Sequence, residues 1–280
     1  MVHKRTVWKR VWDSGAAYLI RLAAFHALDF FAGKAIERAQ FQRAHGYPLK
    51  LENPESYNEK IIWKKHFDRN PLLPVVTDKL RVRKYIETLL GKERAAEILI
   101  PLLYATDSPE TIPFGRLPRS FALKANHSCG MNYLVHDKDR EDPKKLIALC
   151  RSWLRHSYGV FKYQWAYQGI PRRILVEELL AGKDGKPPCD YKFFMIHGRC
   201  RMIRVDVDRF AEHTINMYDC GWNPLDLTLE CPCGELRPRP KNLKKMLRLA
   251  EELAQDFDHI RVDLYDHDTG GGGVLSILAS

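Results

Sequence analysis

A lysine delivered by a short apolar run into a polar loop of small residues can neutralise a phosphate, and Phe121-Ala-Leu-Lys124-Ala-Asn126-His127-Ser128-Cys-Gly130 has that form. Such a loop can turn tightly and bring backbone N–H groups to an anion, while the Lys124 ammonium adds a point charge that no neutral donor matches. The same stretch also describes a surface β-turn in which Gly130 supplies a positive φ and the lysine is solvated. Arg172-Arg-Ile-Leu-Val-Glu177-Glu178-Leu179-Leu180 is an apolar run ending in two carboxylates and two leucines. It could offer backbone groups and a flat apolar wall to an adenine, or be a strand with a charged end. In His259-Ile-Arg261-Val-Asp263-Leu-Tyr265 the alternation puts Arg261 and Asp263 on one face and Ile260, Val262 and Leu264 on the other. A cation and a carboxylate so placed can bind a phosphoryl group and its Mg²⁺ together. They also make a surface ion pair worth under about 1 kcal/mol.

The elements that must carry these residues follow from periodicity. Residues 77–98 have helical spacing, Ile98 to Tyr104 reads as a short buried strand, and Phe121 to Asp137 as a strand, a loop and a returning strand. A helix is predicted over 143–156 and a strand over 173–180. Tyr191 to Asp208 alternates about a His197-Gly198 turn and reads as a β-hairpin, and residues 242–257 form an amphipathic helix. Gly182-Lys-Asp-Gly-Lys186 lacks the spacing and strand-to-helix context of a P-loop. The sum is an α+β chain with antiparallel sheets in two lobes and a cleft between them.

Several strings in colinear order resemble the teichuronopeptide-biosynthesis (TupA-like) branch of the ATP-grasp superfamily, found among bacterial surface-polysaccharide proteins. They begin with Gly46-Tyr-Pro-Leu-Lys-Leu-Glu-Asn-Pro54-Glu-Ser-Tyr-Asn58-Glu59-Lys60-Ile-Ile-Trp63 and run through Thr77-Asp78-Lys79, Phe121 to Gly130 and Gln164-Trp165-Ala-Tyr167. Val176-Glu177-Glu178, Asp190-Tyr191-Lys192-Phe193-Phe194, Val205-Asp206-Val-Asp208-Arg209-Phe210 and Arg261-Val-Asp263-Leu-Tyr265 complete the set. The resemblance implies an ATP-grasp fold whose two lobes close on a nucleotide. It divides the chain into an N-terminal helical extension (1–45), the family's N-terminal region (46–115), a small lobe with the glycine loop (116–185) and a C-terminal lobe (186–280).

By the same resemblance Lys124 meets the ATP phosphates and the Asn126, His127, Ser128 and Gly130 loop covers them. Glu177 and the backbone of Glu178, Leu179 and Leu180 hold adenine. Asp190 meets the ribose, Lys192 the phosphates, Asp263 binds Mg²⁺, and Arg261 stabilises the transferred phosphoryl group. The implied chemistry is ATP-dependent ligation of a carboxylate to an amine through an acyl-phosphate. The implied partners are an anionic glycan or glycan precursor and an amine donor. A glycosyltransferase remains open, with Asp206-Val-Asp208 and Asp266-His-Asp268 as its Asp-x-Asp candidates. After Tyr265 the family continues into a strand bearing a Glu, whereas this sequence runs through Asp266-His-Asp268 into Gly270–Gly273 and stops at Ser280. The expectation is a truncated or altered last strand and weakened catalysis, which keeps a nucleotide-binding scaffold as a third reading.

A formal charge of +10 and a pI near 9.2 favour an anionic partner. No zinc-finger, helix-turn-helix or aromatic RNA-binding signature is present, so nucleic acid is not expected. Seven scattered cysteines without a signal peptide point to reduced thiols and a cytoplasmic protein, and Cys231-Pro-Cys233 has no second pair to complete a zinc site. Residues 16–31 are apolar but interrupted by Arg21, His26 and Asp29, which suits an amphipathic helix, either packed on the body or lying peripherally on the inner, anionic face of a membrane, and not a span.

Overall fold

A computed structural model describes residues 24, 27–29, 34–159, 162–180, 188–207, 214–227, 231–266 and 274–275. Most of the expected N-terminal helix, together with Asp208 and Asp268, lies outside them. Asp29 is described and buried; its carboxylate accepts from the backbone N–H of Ile36 at 3.0 Å and from the Tyr163 hydroxyl, anchoring the start of helix α1 (Ala35–His45). No helix among the described residues is long and apolar enough to cross a membrane.

The smaller sheet has four antiparallel strands in the order β1-β4-β2-β3, with β1 Leu102–Thr106, β2 Phe121–Ala125, β3 Asn132–Val135 and β4 Ile174–Glu178. Alternation gives it two unlike faces. Phe121, Leu123, Ala125, Ile174 and Val176 form a core with Leu146, Cys150 and Trp153 of helix α6 (Pro143–Arg155). Lys124 and Glu177 are left on the opposite face, brought together because β2 pairs with β4 in a register that sets Lys124 against Leu175 and Ala122 against Glu177. That pairing joins strands about fifty residues apart, so no local pattern announces it.

The larger sheet runs β7-β6-β5-β8-β9, with β5 Asp190–Ile196, β6 Arg199–Val207, β7 Thr214–Tyr218, β8 His259–Tyr265 and β9 Val274–Leu275. The predicted hairpin is β5–β6, turning at His197 and Gly198, both with positive φ. Tyr191, Phe193, Met195, Ile203, Val205, Ile260, Val262 and Leu264 pack one face against Leu243, Met246, Ala250 and Leu253 of helix α7 (Leu243–Leu253). The same core takes Val82, Ile86, Ala95 and Ile98 from helices α4 (Arg81–Leu90) and α5 (Lys92–Ile98). The helical spacing of 77–98 is thus two helices. Gly91, at φ 83° and ψ 154°, breaks them where a residue with a Cβ would be strained. Helix α2 (Tyr57–Phe67) and the single turn α3 (Leu73–Thr77) lead into this pair.

Candidate functional site

The Lys124 ammonium donates to Glu177 Oε2 at 2.6 Å, and Arg83 of α4 lies 3.6 Å from Glu177 Oε1. Both members of the Lys124–Glu177 pair are largely buried. Beside them sits Lys79, whose Nζ donates to the carbonyls of Ala125 (3.2 Å) and Ser128. Burial lowers the Lys79 pKa to about 8, with Cys129 and Glu177 opposing and Lys124 adding to the shift. A buried cation in that condition gains from any anion placed next to it. Lys79 belongs to the Thr77-Asp78-Lys79 string, but nothing in its spacing marks it as part of a site.

The loop after Lys124 is held more tightly than an open phosphate cover. Asn126 is fully buried: its Nδ2 donates to Asp78 Oδ1 and to the Pro171 carbonyl, each at 2.9 Å, while its Oδ1 accepts from the Arg173 N–H at 2.7 Å. His127 Nε2 donates to the His156 carbonyl at 3.2 Å, and burial with the nearby Arg172 charge lowers its pKa to about 4. It is therefore neutral near pH 7. The side chains of Asn126 and His127 shape the loop, and what they leave for a ligand is backbone. Ser128 Oγ is buried without a hydrogen-bond partner among the described residues, Cys129 Sγ lies 3.2 Å from the Tyr167 hydroxyl, and Gly130 turns at φ 79° with open space where a Cβ would stand. No disulfide joins the seven cysteines among the described residues, and burial pushes the Cys150 thiol up to about 12, which disfavours its thiolate.

On the larger sheet the face opposite α7 carries charges in rows. Arg204, Lys192 and Asp263 stand side by side across β6, β5 and β8; Asp206, Asp190 and Tyr265 form the next row, and Met202, Phe194 and Arg261 the row on the other side. Lys192, 3% exposed, pairs with Asp190 and, at 2.5 Å, with Asp206. Burial opposes the charge of Asp206, but the Arg204 hydrogen bonds and the Lys192 charge outweigh it and hold the carboxyl well below the usual range. Arg261 grips Asp263 with two bonds of 2.7 and 2.9 Å. Burial, with Asp190 nearby, nonetheless raises the Asp263 pKa. Burial also works against the Arg261 cation, yet Asp263 more than offsets it and raises its pKa; Cys129 is near enough to act in the same direction. Arg261 lines one cavity with Gln164, and Cys129 of the small sheet's loop meets Tyr167, three residues further along the chain from Gln164.

Of the residues expected from sequence, Lys124 and Glu177 come together on one sheet, and Asp190, Lys192, Arg261 and Asp263 on the other. Glu178 is exposed at the end of β4, its N–H bonded to the Pro101 carbonyl at 3.0 Å, and Leu179 and Leu180 follow it half-buried. The Glu177 side chain is turned to Lys124, so any adenine contact in this segment belongs to backbone and leucine. A triphosphate would meet four cations here, Lys79, Lys124, Lys192 and Arg261, each of them already bonded within the protein. For magnesium, no cluster of three or more His, Cys, Asp or Glu among the described residues could hold an ion alone. Asp263 could supply one ligand, the remaining octahedron coming from phosphate and water, as is usual for Mg²⁺.

Two antiparallel sheets, each with a charged face, and a tethered loop leading off the smaller one suit an ATP-grasp protein. The sequence profile of the TupA-like ATP-grasp family matches residues 59–271, and the chain belongs to that family. Among solved structures it is similar to the D-alanine–D-alanine ligase from Bacillus anthracis complexed with ATP, at 16% identity and a TM-score of 0.41 over 72% of this chain and 54% of that one. It is also similar to carboxyaminoimidazole ribonucleotide synthase from Aspergillus clavatus complexed with ATP, at 11% identity and TM-score 0.42 over 73% and 44%. The ATP-grasp ligase PsnB, complexed with a precursor variant, Mg and ADP, gives 13% and 0.40 over 75% and 51%. The chain spans about half the length of these proteins. Comparison with the sequences of curated proteins returns no match.

Proposed function

We propose that this protein binds ATP between its two sheets and uses it to join a carboxylate to an amine. The observation that carries this is the pair of buried cations beside the loop of residues 126–130, Lys79 bonded to the Ser128 carbonyl and Lys124 on the strand that leads into it, together with the Arg261–Asp263 pair on the larger sheet. In this reading the lysines hold the phosphates and Arg261 spreads the charge that develops on the transferred group. Magnesium held by Asp263 would supply further charge neutralisation. A carboxylate oxygen of the acceptor attacks the γ-phosphorus and ADP leaves; the amine then attacks the acyl carbon, loses a proton and expels phosphate. No protein nucleophile is required.

Family membership supports an acceptor that is an anionic glycan or its precursor in surface-polysaccharide assembly. A metal-dependent glycosyltransferase is disfavoured by Asp206, whose carboxylate is buried and bonded to Lys192 and Arg204. The test is the rise in melting temperature on adding Mg-ATP. The parent is expected to show it and Lys124→Ala to lose most of it, since a charge-assisted phosphate contact is removed. Equal increments in the two proteins would refute the assignment.

A further inference from the structure

A cavity of about 340 Å³ opens between helix α2 and the row of the large sheet that carries Phe194 and Arg261. Helix α2 begins at a capping box, Ser56 accepting from the Glu59 N–H while Glu59 accepts from the Ser56 N–H, and this fixes its phase. Tyr57, Asn58, Ile61, Ile62 and Lys65 then recur at helical spacing on the one face that looks into the cavity. Ile62 at one edge of this face packs on the small core of Phe41, Leu49 and Leu51, but the tyrosine, amide and lysine are too polar for a core-packing stripe. The helix is instead strapped to the sheet at its rim: Tyr57 Oη lies 3.0 Å from His259 Nε2, and Lys64 bonds Asp258 at 2.5 Å.

Among the described residues the lining has two cations, Lys65 and Arg261, and no carboxylate. Lys65 is half-buried and has no ion-pair partner among the described residues, while burial and the Lys64 charge lower the His259 pKa to about 4 and keep that ring neutral. Asn58 and Gln164 bring amides, and Phe194 with Ile61 and Ile62 brings an apolar floor. Charge, hydrogen-bonding amides and a flat apolar surface together suit a ligand with an acid group, hydroxyls and a C–H face. Arg261 belongs at once to this cavity and to the pair with Asp263, so an acid held here would sit beside the phosphoryl-transfer position.

We propose that this cavity is the acceptor site and that it takes a small polyhydroxylated carboxylate, its acid group met by Lys65 and Arg261 and its hydroxyls by Asn58 and Gln164. The inference rests on the ligase reading above and assigns helix α2 a role in choosing the acceptor. The test is a calorimetric titration of the full chain with galacturonate and gluconate, and with galactose as the uncharged control, at ligand concentrations up to about 10 mM. Each titration is run with and without Mg²⁺ and a non-hydrolysable ATP analogue. At least one acid is expected to bind and galactose to bind far more weakly. Lys65→Met should weaken acid binding about tenfold or more, as for loss of one charge-assisted contact, and Asn58→Ala by a smaller factor, while affinity for the ATP analogue stays as in the parent. Acid affinity unchanged in Lys65→Met, galactose binding as well as the acids, or no acid binding in either condition would each overturn the inference. Acid binding without any binding of the analogue would sink the ligase reading and leave the site standing.

Discussion

Asn126 ties its loop to two separate segments, at Asp78 and at Pro171 to Arg173, through one amide with its Nδ2 protons and oxygen engaged. Truncation to alanine leaves the buried Asp78 short of a donor and the Arg173 N–H without its acceptor. Asn126→Ala should therefore cost about 2–4 kcal/mol in urea unfolding without any nucleotide present; a loss below about 1 kcal/mol would show that the amide is not structural. Lys79 makes a prediction in pH. Its folded pKa of about 8 lies below the 10.5 of an ordinary lysine, so between those values the unfolded chain binds more protons and stability rises with pH. Below about pH 8 both states are protonated and the burial penalty is felt in full. The parent should gain on Lys79→Met in urea midpoint as pH is raised from about 8 to about 10, and a constant difference would contradict the depressed pKa. Lys124 could be found from sequence because a strand delivers it to a glycine loop. Lys79 could not, since its place depends on a helix start docking against a loop almost fifty residues away.

Helix α2 shows how a local signal fixes an element used far from itself. Ser56→Ala removes the cap and should lower stability by about 1 kcal/mol, and it should weaken acid binding in the adjoining cavity if the helix frays. The hydrogen bonds that Glu59 accepts from the Ser56 backbone, more than offsetting burial, lower its pKa from 4.5 to about 2. Stability from that carboxylate is complete above pH 4.5 and is lost as pH falls toward about 2, so Glu59→Gln should flatten the parent's acid-unfolding curve across that window. Period-two alternation sufficed for the β5–β6 hairpin, and the apolar stripe of α7 for its packing. Strand order was not legible: β1 lies beside β4 and β4 beside β2, so the Lys124–Glu177 contact is a product of topology. The break at Gly91 was hidden for another reason, because α4 and α5 keep their apolar residues in helical spacing on both sides of it.

In the whole molecule the nucleotide is expected to touch both sheets, although each has its own core. An ATP analogue with Mg²⁺ should slow hydrogen exchange in β2 and β4 and equally in β5 and β8; protection confined to one sheet would mean that the cleft does not close on the ligand. Helix α4 would set the mechanics of such a closure. Val82 and Ile86 are set in the large-sheet core, while Asp78, just ahead of the helix, grips Asn126 of the small sheet's loop. Any rocking of one sheet against the other would be expected to turn about that contact, since moving it would break a buried bond between carboxylate and amide. From this fulcrum to Gly130 the lever is four residues long, at most about 14 Å of extended chain. A short arm on a fixed pivot sweeps little, so if this loop covers the phosphates as proposed, it would trim their fit and not swing clear of them.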